Sequence, residues 1–144
     1  MSNLNYSDDE LFRLINLATT EFYELVYKDF WFKEIFKVID QKVITSQQTD
    51  FMVQAFGGPK RYGGRSVIDA HPHIFIDEEI WQKREELLKM AFDKVQTPAD
   101  IREKWLKIDE AFKKALMKSS VSDCQKRYAT DEIIFVPNPF KKAA

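Results

Sequence analysis

The chain has 144 residues with 22 basic and 23 acidic side chains, a formal net charge of −1. That length suffices for one domain with a sizeable core, and the near-neutral, mixed charge argues against nucleic acid or an acidic membrane surface as a partner. No apolar run approaches the roughly 18 residues needed to cross a bilayer, the polar, acidic Met1 to Glu10 is no signal peptide, and the single cysteine, Cys124, fits a reducing cytosol, so a cytoplasmic location is expected.

Ser7-Asp8-Asp9-Glu10 forms a capping box, with a Ser oxygen for the first free N–H groups and Glu three residues on to reach back. Leu11, Leu14, Ile15 and Ala18 then recur at helical spacing and predict a short first helix. A second helix follows with Phe22, Tyr23, Leu25 and Val26 on its apolar side, ending at Lys28 and Asp29. Phe30-Trp31-Phe32 with Ile35-Phe36 make an aromatic corner. The third helix is expected from about Asp40 to Phe56, with Val43, Ile44, Phe51, Met52 and Ala55 inward. Gln48 lies four residues from Ile44 and three from Phe51, so the three share one face, where a buried amide needs a partner or a ligand.

Gly57 can take the left-handed conformation that ends a helix, and Pro59 prevents its resumption. Tyr62 to Asp69 reads as loop, and Ile74-Phe75-Ile76 as either a short strand or a buried turn. Asp77 caps a fourth helix with Ile80, Trp81, Leu87, Leu88, Ala91 and Phe92 as its stripe. Thr97-Pro98-Ala99-Asp100 supplies an N-cap, a first-turn proline and an acid for the fifth helix. That helix turns Ile101, Trp105, Ile108, Phe112 and Leu116 inward. The pattern fades from Ser119, and the apolar run Ile133 to Val136 is expected to pack back on the domain. The whole reads as a single, mostly α domain.

The stretch from Phe56 to Phe75 holds both histidines and the glycines, and it is where chemistry is expected. His71 and His73 are two apart. If extended, they face the same way and could share a non-haem metal with Asp69 or Asp77; if helical, only one can serve a given site. Gly57-Gly58-Pro59 is a helix stop rather than a phosphate cradle, and neither a Ser/His/Asp spacing nor HExxH is present. The other reading makes one histidine the axial ligand of a flat, apolar cofactor held between Phe-rich walls. One neutral imidazole on haem iron leaves an open sixth position, and a tyrosine and a glutamine on facing helices are placed to hydrogen-bond a diatomic ligand there. Twelve Phe, five Tyr and three Trp suit such walls, although a plain aromatic core uses the same residues.

Several stretches together resemble the truncated haemoglobins, the two-over-two globin family. They are Phe22 to Asp29, Ile35-Phe36, Gln48 through Phe56-Gly57-Gly58-Pro59 to Tyr62, and His71. The intervals agree with the family: thirteen residues from Tyr23 to Phe36, nine from Gln48 to Gly57, fourteen from Gly57 to His71, and five and ten from His71 to Ile76 and Trp81. The resemblance covers roughly Leu11 to Leu116 and is nearest the group with a distal Tyr/Gln pair.

It implies an all-α, globin-like sandwich around haem b, with a core over about residues 8–118 and a C-terminal extension over 119–144. Position by position, it makes His71 the proximal iron ligand and His73 a bystander facing away or toward solvent. Phe36 would lie against the haem face, Tyr23 and Gln48 would form the distal hydrogen-bonding pair, and Ile44 the apolar distal position. Phe51, Phe56, Val67, Ile76 and Trp81 would line the pocket, and Tyr62 would reach a propionate, with Lys60, Arg61 and Arg65 available as counter-ions. The resemblance further implies O₂, NO and CO as ligands, NO dioxygenation or peroxide reactivity with an external reductase, and a monomer or weak homodimer. A haem-free globin-like sensor or interaction domain is the third reading beside the haem and non-haem metal ones.

The chain departs from the family's pattern in three places. The usual glycine pair near the start is absent. Arg84 stands thirteen beyond His71, where two of the family's groups carry tryptophan. The extension after Ser119 has no counterpart in the pattern.

Overall fold

The computed structural model describes residues 5–140. Its first helix, α1, runs unbroken over Asp8–Lys28, where two helices were expected. Nothing between the capping box and Lys28 breaks a helix, and Leu11, Ile15, Ala18, Phe22 and Val26 continue one buried stripe through the expected gap. Thr19 sits at the supposed boundary but is buried, its hydroxyl donating to the Ile15 carbonyl at 2.8 Å. The Ser7 hydroxyl accepts from the Glu10 N–H at 3.1 Å, which is the N-cap half of the expected capping box; the return bond from the Ser7 N–H to the Glu10 carboxylate is not made among the described residues.

Asp29 ends α1 and starts the next element. Its carboxylate accepts the N–H groups of Trp31 and Phe32 at 3.1 and 2.9 Å, which sets up the single turn of α2 (Phe32–Ile35). The third helix, α3 (Gln41–Ala55), is capped by Asp40, whose side chain accepts from the Val43 N–H. Its inward row is Thr49, Met52 and Val53; Val43 and Ala55, expected inside, are exposed. The difference is about half a turn. Thr49 donates to the Thr45 carbonyl and to Asn16 of α1, so this polar–small row lies against α1. Ile44, Gln48 and Phe51 fall on the neighbouring, half-buried face.

Gly57, at φ 93°, takes the left-handed conformation that ends α3, and the Gly58 N–H donates to the Val53 carbonyl at 2.9 Å. A Cβ on Gly58 would lie 2.8 Å from Val53 Cγ1, so the second glycine is needed for close approach. Within the expected loop, Ser66 caps a four-residue helix, α4 (Val67–Ala70), which ends at His71. Asp77 then caps α5 (Glu78–Val95), accepting from the Ile80 N–H. Gln96, at φ 56°, closes α5, and its successor Thr97 donates its N–H to the Phe92 carbonyl. Thr97 therefore belongs to that closure, and its side chain does not cap α6 (Ala99–Leu116); the cap position is Pro98.

Helix α1 packs on both α3 and α5. Helix α6 closes the bundle through Trp105, edge-on to Phe92 of α5 at 5.3 Å and to Phe56 beyond α3 at 6.5 Å. Ile15, Ala18, Val26, Met52, Leu88, Ala91, Ile101 and Trp105 are essentially inaccessible. Each large apolar side chain so buried stabilises the fold by about 1.5–3 kcal/mol.

Among the described residues after α6, the run Ile133 to Val136 packs back on the domain as expected. The one pairing of extended backbone among the described residues is a parallel bridge between Ile74 and Ile134. Trp31 Nε1 donates to the Val136 carbonyl at 2.9 Å, and Phe135 meets Phe75 edge-on at 5.2 Å. Arg127 grips Asp131 through Nε at 2.9 Å, Nη2 at 3.1 Å and its own N–H at 2.8 Å. These bonds hold the Asp131 carboxyl at about 2, below its ordinary 3.8. A depressed carboxyl stabilises the fold above its unfolded value and stops doing so as pH falls through its folded value. The melting temperatures of wild type and Asp131→Asn should therefore differ by a constant amount above about pH 5 and converge between about pH 4 and pH 2.

Candidate functional site

Tyr23 comes from the inner face of α1 and is 5 % exposed. Its ring lies edge-on to Phe22 at 4.9 Å, Phe36 at 6.0 Å and Tyr27 at 6.5 Å. The Tyr27 hydroxyl donates to the Ile39 carbonyl at 2.6 Å, which fixes the turn after α2 and with it the half-buried Phe36. The Tyr23 hydroxyl has no hydrogen-bond partner among the described residues. Burial pushes its pKa far above the ordinary 10.0, with the Arg84 charge opposing. It is therefore a neutral phenol with a proton to donate.

Helix α3 presents Ile44, Gln48 and Phe51 side by side, each half-buried. The Gln48 amide makes no side-chain hydrogen bond among the described residues, while the next row round the helix is fully buried. An amide left on an apolar, half-covered face is a group a ligand can use. Phe51 meets Tyr62 at 5.3 Å and Phe112 of α6 at 6.1 Å.

His71 closes α4. Its Nδ1 lies 2.7 Å from the Val67 carbonyl, one helical turn back. That acceptor places the ring proton on Nδ1 and leaves the Nε2 lone pair for a metal. Burial lowers the His71 pKa; the Val67 bond opposes, and the charges of Arg84 and Lys118 add to the lowering. The imidazole is thus neutral, the form that coordinates iron. This donor set, with half-covered aromatic walls and an unpartnered phenol and amide, fits a haem group.

His73 is not solvated. It is 7 % exposed, and its Nδ1 is buried with no partner among the described residues. The backbone turn at Pro72 separates it from His71, and it packs beneath the extension, within the electrostatic reach of Arg127 and Asp131. Among the described residues no group of three His, Cys, Asp or Glu side chains comes together as a metal site. Asp77 is occupied in capping α5, and Asp69 is exposed.

Of the other expected lining residues, Ile76 and Trp81 are buried and Val67 is half-buried. Phe56 lies deep between Trp105 and the Lys104 ammonium, whose Nζ is 5.2 Å from its ring. The Tyr62 hydroxyl donates to the Arg65 carbonyl. Tyr62 also lines a surface cleft of about 530 Å³ with Gln47, Arg65, Ala70 and Arg127. Of the two arginines at its rim, Arg127 is already paired with Asp131.

Arg84 turns inward rather than to the surface. Its Nη1 pairs with Asp109 of α6 at 2.8 Å, and its guanidinium lies 5.5 Å from the Phe22 ring and 5.6 Å from Trp81. It acts electrostatically on both Tyr23 and His71. Asp109, Lys118 and Arg127 escaped the sequence reading. Only Asp109 left a trace there, as an acid beside Ile108 on the inward side of α6.

A family model for the bacterial-like globins matches residues 12–130. A group 1 truncated hemoglobin from Tetrahymena pyriformis is 42 % identical over 54 residues, 38 % of this chain. A second, GlbN from Synechocystis sp., is 35 % identical over 60 residues, 42 % of this chain. The matched stretches span 45 % and 48 % of those relatives' lengths, about half. Two solved structures of truncated hemoglobin from Tetrahymena pyriformis, both Fe(III) forms, superpose on the fold. A glutamine-to-glutamate variant does so with TM-score 0.68 and 26 % identity, covering 79 % of this chain and 100 % of its own. A tyrosine-to-phenylalanine variant gives TM-score 0.66 and 25 % identity, covering 76 % and 98 %. The all-helical fold is therefore that of the truncated haemoglobins. The chain belongs to the bacterial-like globin family, whose truncated haemoglobins bind haem iron.

Proposed function

We propose that the chain holds haem b through His71 and binds O₂ and other diatomic ligands, NO and CO, in the ferrous state. The observation that carries this reading is the His71 ring, neutral and oriented by the Val67 carbonyl so that Nε2 is free to coordinate. When bound, haem supplies an open coordination position for a diatomic ligand. Tyr23 and Gln48 are the distal donors in this reading. Both lack internal partners, so turning them to a ligand breaks no existing bond. Phe36, Ile44, Phe51, Val67, Ile76 and Trp81 keep water from the slot, and Tyr62 with Arg65 lies toward the propionate edge.

Hydrogen bonds to a ligand that has gained negative charge are worth about 1.5–3 kcal/mol each, roughly twice neutral ones. Two such donors slow O₂ release and favour O₂ and NO chemistry over bulk transport. In NO dioxygenation, NO, O₂ and one electron combine to nitrate; peroxide reactivity is the other reaction open to such a site. In this reading the electron comes from an external reductase; the described residues form an α-helical fold that is neither a flavin nor a nicotinamide fold. The setting proposed is the cytoplasm, as a monomer or weak homodimer. Among the described residues, no helix is long and apolar enough to cross a membrane. The reading is tested by an absorption spectrum of the purified protein reduced with dithionite, before and after CO. A Soret band that shifts with CO supports it, and a colourless protein that takes up no added haemin opposes it.

A further inference from the structure

The segment that carries the His71 imidazole has almost no secondary structure of its own. Helix α4 is a single turn, too short to be stable by itself. Its carbonyls and those of the following turn are held from elsewhere. The Ala70 carbonyl accepts from Arg127 Nη1 at 3.5 Å, that of His71 from Lys118 Nζ at 3.0 Å, and that of Pro72 from the Gln125 N–H at 2.8 Å. The His73 carbonyl accepts from the Ile134 N–H at 2.8 Å, that of Ile74 from Lys118 Nζ at 2.6 Å, and that of Ile76 from the Lys118 N–H at 2.9 Å. Phe75 completes the set in the opposite sense, donating its N–H to the Ile134 carbonyl at 2.8 Å.

Every residue from 70 to 76 is thus hydrogen-bonded through its backbone to the stretch 118–134. One ammonium, that of Lys118, spans the His71 and Ile74 carbonyls and also reaches the Leu116 carbonyl at 3.3 Å, at the C-terminal end of α6. Burial lowers the Lys118 pKa, as expected of a cation drawn under the chain to reach these carbonyls. The Arg127–Asp131 grip and the Phe75–Phe135 contact fasten the same strap.

We infer that this C-terminal strap is a proximal positioning device. It fixes the position and tilt of the His71 ring, and would thereby set the strength of a bond from Nε2 to iron. Lys118 is its principal positioning residue. Metal-bound histidines are held by their outer contacts, and loss of those contacts weakens metal-site affinity by about tenfold to a hundredfold. The inference rests on His71 being the haem ligand.

The test uses full-length, haem-loaded protein in three forms: Lys118→Met, Lys118→Arg and Ile134→Pro, the last deleting the N–H that holds the His73 carbonyl. The readouts are the iron–histidine stretching band in the resonance Raman spectrum of the unligated ferrous protein, and the rate of haem transfer to an apoglobin acceptor. Far-UV circular dichroism monitors folding. Lys118→Met and Ile134→Pro should shift and broaden the band and speed haem loss about tenfold, while Lys118→Arg restores most of both. An unchanged band and unchanged haem loss in folded variants would overturn the inference while leaving the haem assignment standing. Unfolding of both Lys118→Met and Ile134→Pro would also overturn it, assigning the strap to global stability. Wild-type protein that shows no iron–histidine band would instead remove the haem reading beneath it.

Discussion

Replacing Tyr23 with phenylalanine should accelerate O₂ release from the ferrous protein by about tenfold to a hundredfold, measured by stopped-flow displacement. The ring of Tyr23 is already packed against Phe22, Tyr27 and Phe36, so the substitution preserves the volume and those edge-on contacts. What it deletes is a hydroxyl without an internal partner in a buried setting. A charge-assisted bond of about 1.5–3 kcal/mol from that hydroxyl corresponds to this range, since each 1.36 kcal/mol is a factor of ten in rate. Stability of the protein without haem should be nearly unchanged, because no protein hydrogen bond among the described residues is lost. An O₂ release rate equal to wild type would remove Tyr23 from the distal role and leave it as an aromatic core residue.

Alanine at position 71 should abolish stoichiometric haem retention, while alanine at position 73 should keep it. The two imidazoles are two residues apart but differ in surroundings. His71 has its Nδ1 proton committed to the Val67 carbonyl, whereas His73 is buried beneath the extension with Nδ1 unpartnered. His71→Ala should lose the five-coordinate ferrous spectrum and bind haem more than about a hundredfold more weakly, exceeding the loss usual for an outer contact. His73→Ala removes a buried ring and opens a cavity, so it should lower the melting temperature while the spectrum stays five-coordinate. The reverse pattern would mean that the iron ligand is His73.

The parts of the fold legible in the sequence are those with local causes. Ser7, Asp40 and Asp77 announce helix starts because a short polar side chain reaches its own first-turn N–H groups. Gly57 announces the end of α3 because its backbone enters a region that other residues avoid. The stripe Leu11 to Val26 was visible as well, but its reading as two helices placed a boundary where no breaking residue stands. The inward row of α3 was less legible, since threonine can face a neighbouring helix when its hydroxyl bonds back to its own.

Within the candidate site, helix geometry put Ile44, Gln48 and Phe51 on one face of α3, where they lie half-buried side by side, whereas the roles of Tyr23, Gln48 and His71 rested on the intervals shared with the truncated haemoglobins. Pairings made between distant elements could not be read along the chain. Arg84 was visible as an odd cation, yet its partner Asp109 stands twenty-five residues away on another helix. The extension was less visible still. Its contacts run from backbone groups and from Lys118 to carbonyls of residues 70–76, and backbone hydrogen bonding leaves no periodic trace in side-chain identity.

The account turns on one imidazole nitrogen, His71 Nε2, taking haem iron. The most direct measurement is a haemin titration of the purified chain and its His71→Ala variant, followed in the Soret region and then reduced with dithionite. The account predicts a break at about one haem per chain in wild type, a five-coordinate ferrous spectrum, and neither feature in the variant. A titration curve and a ferrous spectrum shared by both proteins would contradict it.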